Sequence, residues 1–370
     1  MEARPVILDV DTGIDDMVAL LIAATAPELN LRGVTCVAGN VEIHHVARNT
    51  GKILQMVGRH DVPVSIGAAR PLQRRLRTAQ DTHGPTGTGY VELRGEDRML
   101  GSTEFTPIPA SRYLGAHVKR HPGEMTIVAL GPLTNLAAAA LSGVDLADGA
   151  REVIWMGGTL EERGNTTETG EWNACVDPEA AETCLRMGVI DRIFPLDATQ
   201  DVIFTLDDLR VLPDTYVARV VRDAVRFYVG FHRGADGIDG CYLHDPVTLI
   251  GSLLRPELVT ESVPLRLACD TSADAHVAGS LFRSTSSARP TVDVATEIDA
   301  PAMKAELLER LALAVAPASQ SACSRNRRRV SLWSCAGSLR RSRSCSPPSG
   351  ESSWRAGASP TTTRHSMPSP

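Results

Sequence analysis

The sequence predicts an α/β protein with an open, doubly wound, mostly parallel sheet and helices on both faces. Short apolar segments that resemble buried strands alternate with helix-like segments along the chain. The strand-like segments show no alternation of polar and apolar residues, as expected for parallel strands covered on both faces. Polar clusters follow several of these strands. Ligands bind at the carboxyl ends of the strands in such sheets, so we expect the active site at that edge.

The alternation begins near the N-terminus and is interrupted twice. The predicted elements are, in chain order, a strand at 6–8, a helix from Asp15, a strand at 31–37, a helix at 41–57, a strand at 126–130, a helix at 133–141, strands at 152–156 and 189–195, and a last helix at 302–314. Segments 67–109 and 159–173 are rich in Gly, Thr and charge. Loops this long in a compact domain are typical of lids or binding loops, or else are disordered.

Composition divides the chain into a body and a tail. The chain has 370 residues, 43% of them hydrophobic, which suits a large buried core. From about Ala318 the composition changes to Ser, Arg, Pro and Cys without periodicity, and such a segment buries too little apolar surface to fold. We therefore expect a domain at residues 1–315 and a low-complexity, disordered Ser/Arg/Pro-rich tail at 316–370.

The charge is distributed unevenly between these two parts. The formal net charge is −6, but residues 314–370 hold nine Arg and one Glu, which leaves −14 on residues 1–313. Nucleic-acid binding needs clustered Lys and Arg, so the body is a poor candidate for a nucleic-acid partner. The eight cysteines show no zinc spacing, and no apolar run reaches the ~20 residues of a membrane span. A cytoplasmic protein without a membrane partner is the expectation.

Four carboxylates directly follow the first strand: Asp9, Asp11, Asp15 and Asp16. Carboxylates repel one another, so this density at a buried strand end requires a cation, or hydroxyls and backbone donors, that offset the charge. Hard divalent cations such as Ca²⁺ prefer an all-oxygen shell of this kind. Helix capping by Asp15 and Asp16 is the structural alternative, and it explains one or two of the four acids.

Four further polar clusters follow the predicted elements. They are Gly39-Asn40, Gly131-Pro132-Leu133-Thr134-Asn135, Asn165 with Glu171-Trp172-Asn173, and His244-Asp245-Pro246. Each alone has an ordinary structural explanation. Asn40 fits a helix N-cap, Asn135 a turn and His244 a hydrogen-bonded core histidine. Their order in an α/β frame together with the four aspartates is the informative feature.

With these motifs the chain resembles the inosine-uridine nucleoside hydrolase family, ribonucleoside N-ribohydrolases that bind one Ca²⁺. The resemblance covers about residues 6–313, and its most specific element is Asp9-x-Asp11-x-Gly13-x-Asp15-Asp16. It implies the nucleoside hydrolase fold and Ca²⁺-dependent hydrolysis of the N-glycosidic bond to free base plus ribose, in purine or pyrimidine salvage. Thr12 departs from the Pro of many members, which affects the turn and not the ligands.

The resemblance also implies roles for individual residues. The implied calcium ligands are the carboxylates of Asp11, Asp16 and Asp245 and the backbone carbonyl of Leu130, with water and ribose hydroxyls completing the shell. Asp11 is the implied general base. The implied substrate-binding residues are Asp15, Asn40, His83, Asn165, Glu171 and Asn173. Asp9 is expected to support the loop by hydrogen bonds rather than to bind metal.

Activation of the leaving base is less well defined by the sequence. His244 stands where some family members have the acid that protonates the base, and bracing of the His-Asp-Pro turn is the structural alternative. Tyr228 and His232 lie on an amphipathic helix before the variable loop 234–240 and are candidates to reach the base. The preferred base does not follow from these positions.

Other functions remain as alternatives. A phosphatase of the haloacid dehalogenase type also has Asp-x-Asp after its first strand, but Gly13 stands here where that motif needs Thr. An inactive homologue that binds Ca²⁺ or ribose is the second alternative. The expected partner is a small ribonucleoside, and the expected assembly is a homodimer or homotetramer.

Overall fold

The computed structural model describes residues 2–96, the backbone of 105–106, and residues 109–317. The predicted tail from residue 318 onward and part of the first long loop therefore lie outside the described residues. The described strands are β1 Arg4–Val10, β2 Leu29–Cys36, β3 Val64–Ile66, β4 Phe105–Thr106, β5 Thr126–Ala129, β6 Glu152–Met156, β7 Arg192–Phe194, β8 Ile203–Phe204, β9 Cys241–Tyr242, β10 Val259–Leu265, β11 Leu267–Cys269, β12 Leu281–Arg283 and β13 Val292–Ile298.

Nine of these strands form one central sheet in the order β10-β13-β7-β6-β5-β1-β2-β3-β4. All neighbours in it are parallel except β10, which pairs antiparallel with β13. This is the predicted open, mostly parallel sheet. The pairs β8-β9 and β11-β12 form two small antiparallel sheets beside it.

The strand order reverses at β1. From β1 the chain proceeds outward through β2, β3 and β4 on one side, and β5 then pairs with the other side of β1 and leads to β6 and β7. Such a reversal leaves a crevice at the carboxyl ends of the two strands that flank it, where ligands bind in open α/β sheets. Asp11 follows β1 and Leu130 follows β5, so both lie at this crevice.

Helices cover both faces of the sheet. They are α1 Ile14–Thr25, α2 Ile43–Met56, α3 Gln80–His83, α4 Ala110–Arg120, α5 Thr134–Leu141, α6 Trp172–Val176, α7 Pro178–Arg186, α8 Leu196–Thr199, α9 Tyr216–Ala235, α10 His244–Leu249 and α11 Ala300–Ala314, with a π-helical turn at Ile250–Leu254 and 3₁₀ turns at Asp208–Val211 and Pro256–Leu258. The core divides accordingly into two clusters. Leu8 of β1 packs in the cluster with α1, α9, α10 and α11, whereas Ile7 packs in the cluster with α4, α5 and α7.

The predicted elements are present, with ends shifted by a few residues. The segment predicted as a helix at 41–57 is helical over Ile43–Met56, and the strand predicted at 189–195 spans only Arg192–Phe194. Among the described elements that were not predicted from the sequence are α4, α7, β3, β10 and β13. Among the described residues no helix is long and apolar enough to span a membrane. The five described cysteines are buried and free.

Candidate active site

The loop between β1 and α1 is closed by the side chain of Asp16. Its Oδ2 accepts a hydrogen bond from the backbone N–H of Gly13 at 2.8 Å, and its Oδ1 accepts one from the backbone N–H of Asp11 at 3.3 Å. An acid in the first turn also interacts favourably with the positive end of the helix. Capping, the structural alternative for these acids, is therefore real for Asp16. It leaves the burial of Asp11 and Asp15 unexplained.

Asp11 is fully buried, and the loop after β2 holds it in place. The backbone N–H of Asn40 donates to Oδ2 of Asp11 at 2.7 Å. A Cβ atom at Gly39 would lie 2.2 Å from the same oxygen, so the close approach of this loop requires glycine. Oδ1 of Asp11 is buried and has no hydrogen-bond partner in the described part of the chain. One carboxylate oxygen is thus fixed and the other is available.

Asp15, Asp16 and Asp245 come together at the start of α1 and α10. One carboxylate oxygen from each lies within 4.8 Å of the others. Burial raises the pKa of Asp245 well above its usual range, and the neighbouring charges of Asp15, Asp16 and Asp11 raise it further. Burial likewise raises the pKa of Asp16 to about 6. Carboxylates this close and this buried are stable in the ionised form only beside a cation.

The donor set fits a hard divalent cation. Carboxylate oxygens are the ligands that such cations prefer. Within the described residues, Oδ1 of Asp11 and Oδ1 of Asp15 are buried without any hydrogen-bond partner, which is costly unless a ligand satisfies them. The group of neighbouring carboxylates contains Asp15, whereas the ligands predicted from the resemblance are Asp11, Asp16, Asp245 and the carbonyl of Leu130. That ligand set stays a prediction.

Two residues of the second long loop, Glu171 and Asn173, also line the site. Glu171 caps α6, and its carboxylate accepts the backbone N–H groups of Asn173 and Gly158, each at 2.8 Å. Burial raises the pKa of Glu171 to about 7. The side-chain amide of Asn173 donates to the carbonyl of Leu130 at 2.8 Å. These hydrogen bonds hold Glu171 and Asn173 next to Leu130, at the carboxyl end of β5.

Asp9 supports the loops from below the site. Its Oδ1 accepts hydrogen bonds from the hydroxyl of Thr35 and, at 2.8 Å, from the side-chain amide of Asn135. The same amide also donates to the carbonyl of Cys36, and its oxygen accepts the backbone N–H of Ala68. Asn135 thereby connects β1, β2 and the loop after β3. These hydrogen bonds are the kind expected of a residue that supports the loop and does not bind the metal.

A cleft with about 680 Å³ of empty volume, open solvent at its mouth included, lies above the carboxylates. Asp11 and Asp16 are buried and do not line it, but both accept hydrogen bonds from Asn40, which does. The remaining predicted site residues line the cleft. These are Asp15, Asn40, His83, Leu130, Asn165, Glu171, Asn173, His244 and Asp245. Asn165 is exposed at the rim, where its Oδ1 accepts the backbone N–H of Trp172 at 2.9 Å. The geometry therefore brings the sequence-predicted set to one place.

Three buried histidines line the cleft with different partners. His83 accepts the backbone N–H of Ile14 on Nδ1 at 3.1 Å, and Nδ1 of His244 lies 2.8 Å from the hydroxyl of Thr199. Burial, with a smaller contribution from His232, lowers the pKa of both to about 3. His232 is instead paired with a carboxylate, since its Nδ1 lies 2.6 Å from Oδ2 of Asp236.

Several contributors to the site were not identified from the sequence. Thr199 and Asp236 orient histidines, and Trp172 and Phe231 line the cleft. The i,i+4 spacing of His232 and Asp236 on a helix was a usable signal, because side chains four residues apart share a face. No comparable signal in the sequence points to Thr199, because it is 45 residues away from its partner His244 along the chain.

Comparison with known proteins gives consistent similarities. Residues 6–305 match the family model described as inosine-uridine preferring nucleoside hydrolase. Uridine nucleosidase 1 of Arabidopsis thaliana is 35% identical over 69% of this chain and 75% of its own length. The structure of a plant nucleoside hydrolase, PpNRh1, superposes with a TM-score of 0.76 and 33% identity over 85% of this chain and all of that chain. A purine-preferring ribonucleoside hydrolase from Gardnerella vaginalis gives a TM-score of 0.78 with 27% identity over 84% of this chain and 99% of that one.

Proposed function

The chain belongs to the inosine-uridine preferring nucleoside hydrolase family, and we propose that it uses one Ca²⁺ to hydrolyse the N-glycosidic bond of ribonucleosides. Family membership makes it a ribonucleoside hydrolase, and it argues against the phosphatase alternative. The metal ion, the residue roles and the base preference form our proposal. One observation supports it above the others: buried carboxylates with unsatisfied oxygens lie beneath a cleft at the strand-order reversal.

Asp11, Asp16, Asp245 and the carbonyl of Leu130 are the proposed calcium ligands, with Asp15 beside them. When bound, Ca²⁺ offsets the carboxylate charge and makes a coordinated water more acidic. Asp11 is the proposed general base. Its Oδ2 is held by Asn40, so Oδ1 is free to take the proton of the attacking water.

The ribose is proposed to bind between the first loop and the second long loop. Oδ1 of Asn40 and Oδ1 of Asp15 are buried and lack hydrogen-bond partners among the described residues, so they are suited to ribose hydroxyls. Glu171 and Asn173 line the same cleft, and Asn165 is an exposed lining residue. A sugar held on both sides is restricted to one orientation, which lowers the barrier to attack at C1′.

The leaving base is proposed to lie against the histidines. His83 accepts a backbone N–H on Nδ1, so its neutral ring carries hydrogen on Nε2 and donates from there. His244 is proposed as a catalytic residue that contacts the departing base, next to the ligand Asp245. Bracing of Asp245 is the alternative role for His244, and the two roles predict different substrate dependence.

The organisation of the whole protein extends the proposal. We place the hydrolase domain at residues 1–315 and a separate tail at 316–370. The negative charge of the body favours a small nucleoside over a nucleic-acid substrate. Free cysteines are compatible with the reducing cytoplasm. A homodimer or homotetramer is the proposed assembly.

The proposal is tested with uridine first, because the plant relative named above is a uridine nucleosidase, and with inosine second. Protein treated with EDTA is assayed for uracil release before and after addition of Ca²⁺ or Mg²⁺. We expect loss of activity in EDTA and recovery with Ca²⁺. Full activity in EDTA would contradict the metal role, and recovery with Mg²⁺ alone would contradict the choice of Ca²⁺.

A further inference from the structure

His232 differs from the other two cleft histidines in the partner that holds it. Nδ1 of His83 accepts the backbone N–H of Ile14, so its lone pair is occupied and that nitrogen does not take up a proton. His244 faces a hydroxyl, and that hydroxyl also lies 3.1 Å from the carbonyl of Pro195. His232 alone of these three is paired with a carboxylate, that of Asp236. A carboxylate partner stabilises the positively charged imidazolium, and the other two partners do not.

The free nitrogen of His232 is available to a ligand. Nε2 is buried and has no hydrogen-bond partner within the part of the chain that the structure describes. The ring is fixed by edge contacts with Tyr228 at 4.6 Å and with Tyr242 at 5.2 Å between ring centroids. Both His232 and Asp236 line the cleft. A buried polar atom that lacks a partner in the wall of a binding cleft is a site for a polar group of the substrate.

The pairing with Asp236 also decides which nitrogen exchanges its proton. A carboxylate only accepts hydrogen bonds, so Nδ1 of His232 keeps its hydrogen in both charge states. The second proton is therefore gained and lost at Nε2. Burial lowers the pKa of His232, and the hydrogen bond and charge of Asp236 partly offset this effect.

We propose that His232 donates the proton that the departing base requires, and that Asp236 is the positioning residue that orients and charges its ring. The inference rests on the proposed hydrolase function. In the step, the oxygen of water bonds to C1′ of the ribose while the C1′–N bond breaks and its electron pair passes to the base. Asp11 takes a proton from the water, and Nε2 of His232 gives one to the base. Exchange of both groups with solvent restores them, so one water yields ribose and free base.

Other titratable groups interact with His232, and their effect must be separated from that of Asp236. They are Tyr228 on α9, His83 on α3, Tyr242 on β9 and His244 on α10. None of these four is a carboxylic acid, whereas Asp236 pairs directly with His232. Removing its charge should therefore lower the pKa of His232, whereas the histidine neighbours only oppose protonation.

The activity test compares two substrates in His232→Gln. Uridine needs a proton on its leaving base, and p-nitrophenyl riboside does not, because nitrophenolate is a stable anion. We expect kcat/KM on uridine to fall by roughly 10²-fold or more and kcat/KM on p-nitrophenyl riboside to stay within about threefold. Equal losses on both substrates would overturn the donor role. Absence of hydrolysis of either substrate by the unaltered protein would instead contradict the proposed function.

The positioning role of Asp236 is tested by the pH profile of Asp236→Asn. Loss of the carboxylate should move the alkaline limb of kcat/KM on uridine to lower pH by roughly one unit. Asp239→Asn is the matched control, since Asp239 is exposed, pairs with Arg233 and lies outside the cleft. It removes the same charge from the same end of α9 and should leave the profile unchanged. Equal shifts in the two variants, or none in either, would overturn the proposal.

A titration followed by ¹⁵N NMR gives a readout independent of activity. The ring signals of His232 are assigned by their absence in His232→Gln. We expect Nε2 to titrate while Nδ1 stays protonated, with a lower midpoint in Asp236→Asn and an unchanged one in Asp239→Asn. A titrating Nδ1, or a midpoint in Asp236→Asn equal to that of the unaltered protein, would contradict the assignment.

Discussion

The backbone N–H of Asn40 donates to one oxygen of Asp11 at 2.7 Å and leaves the other oxygen buried with no hydrogen-bond partner among the described residues. This arrangement gives Asp11 one oxygen for orientation and one for chemistry. We expect Asp11→Asn to lower kcat by about 10³-fold or more, because the amide is not a base and is a poorer metal ligand. Steady-state kinetics with uridine measure the effect.

Asp9→Asn is the matched control for this variant. Asp9 is equally buried two residues earlier, near the end of β1, and its Oδ1 accepts hydrogen bonds from Thr35 and Asn135. Its loss should act through loop stability and cost less activity than Asp11→Asn. Asp11→Asn with more than a tenth of the original kcat would exclude Asp11 as the base.

The ribose 2′-hydroxyl should be important for turnover. Oδ1 of Asn40 and Oδ1 of Asp15 have no hydrogen-bond partners within the described chain, and a substrate without the hydroxyl leaves such buried atoms unpaired. We predict that 2′-deoxyuridine has a kcat/KM lower than that of uridine by about 10²-fold or more. Similar values for the two substrates would contradict the proposed ribose contacts.

His244 gives a prediction that separates its two possible roles. If it contacts the leaving base, His244→Ala should lower kcat on inosine by roughly 10²-fold or more and spare p-nitrophenyl riboside. If it only braces Asp245, both substrates should lose activity in parallel, and added Ca²⁺ should restore part of the rate. A loss on inosine that exceeds the loss on p-nitrophenyl riboside by more than about tenfold would assign the proton to His244 and contradict donation by His232, whereas a smaller ratio, which we expect, leaves donation with His232.

Much of the site could be predicted because it is encoded locally. The carboxylates from Asp9 to Asp16 follow one strand within a few residues, and the parallel sheet brings Asn40 and Leu130 to the same edge. Periodicity and strand composition likewise indicated most of the parallel strands. These features depend on short stretches of sequence, which is why they are visible without a structure.

The remaining features depend on contacts between distant elements. In the sequence, Asp236 resembles an ordinary charged residue at a helix end. Only the structure shows that it pairs with His232 in the wall of the cleft. The position of β13 between β7 and β10 depends on pairing with strands distant in the sequence, since Asp293 pairs with Arg192 of β7. Which carboxylates form the closest group, with Asp15 included, is decided by the geometry of α1 and α10.

Removal of the metal should make stability depend on pH. Burial raises the pKa of Asp9 and of Glu171 to about 7 and that of Asp16 to about 6, so the folded protein binds more protons than the unfolded chain between the ordinary and the raised values. Stability in EDTA should therefore fall as pH rises through this range. His83 and His244, whose pKa values are lowered to about 3, act in the opposite direction below their ordinary pKa.

The clearest window is consequently between about pH 6.5 and pH 8, where these histidines are mostly neutral in both states. We expect the free energy of unfolding in EDTA, measured by urea denaturation, to decrease across it. Added Ca²⁺ should stabilise the protein more at the upper end, because it replaces protons at the carboxylates. Stability that rises with pH in EDTA would contradict the buried carboxylate cluster.

The most direct test of the account is the product balance of uridine cleavage by the full chain, followed by ¹H NMR in phosphate-free buffer with Ca²⁺. The account predicts uracil and free ribose in equal amounts, with water as the only co-substrate. Inosine, cytidine, adenosine and guanosine are assayed in parallel, since the base preference is part of the proposal. No free base from any of these nucleosides, with the protein folded and calcium bound, would contradict the hydrolase assignment.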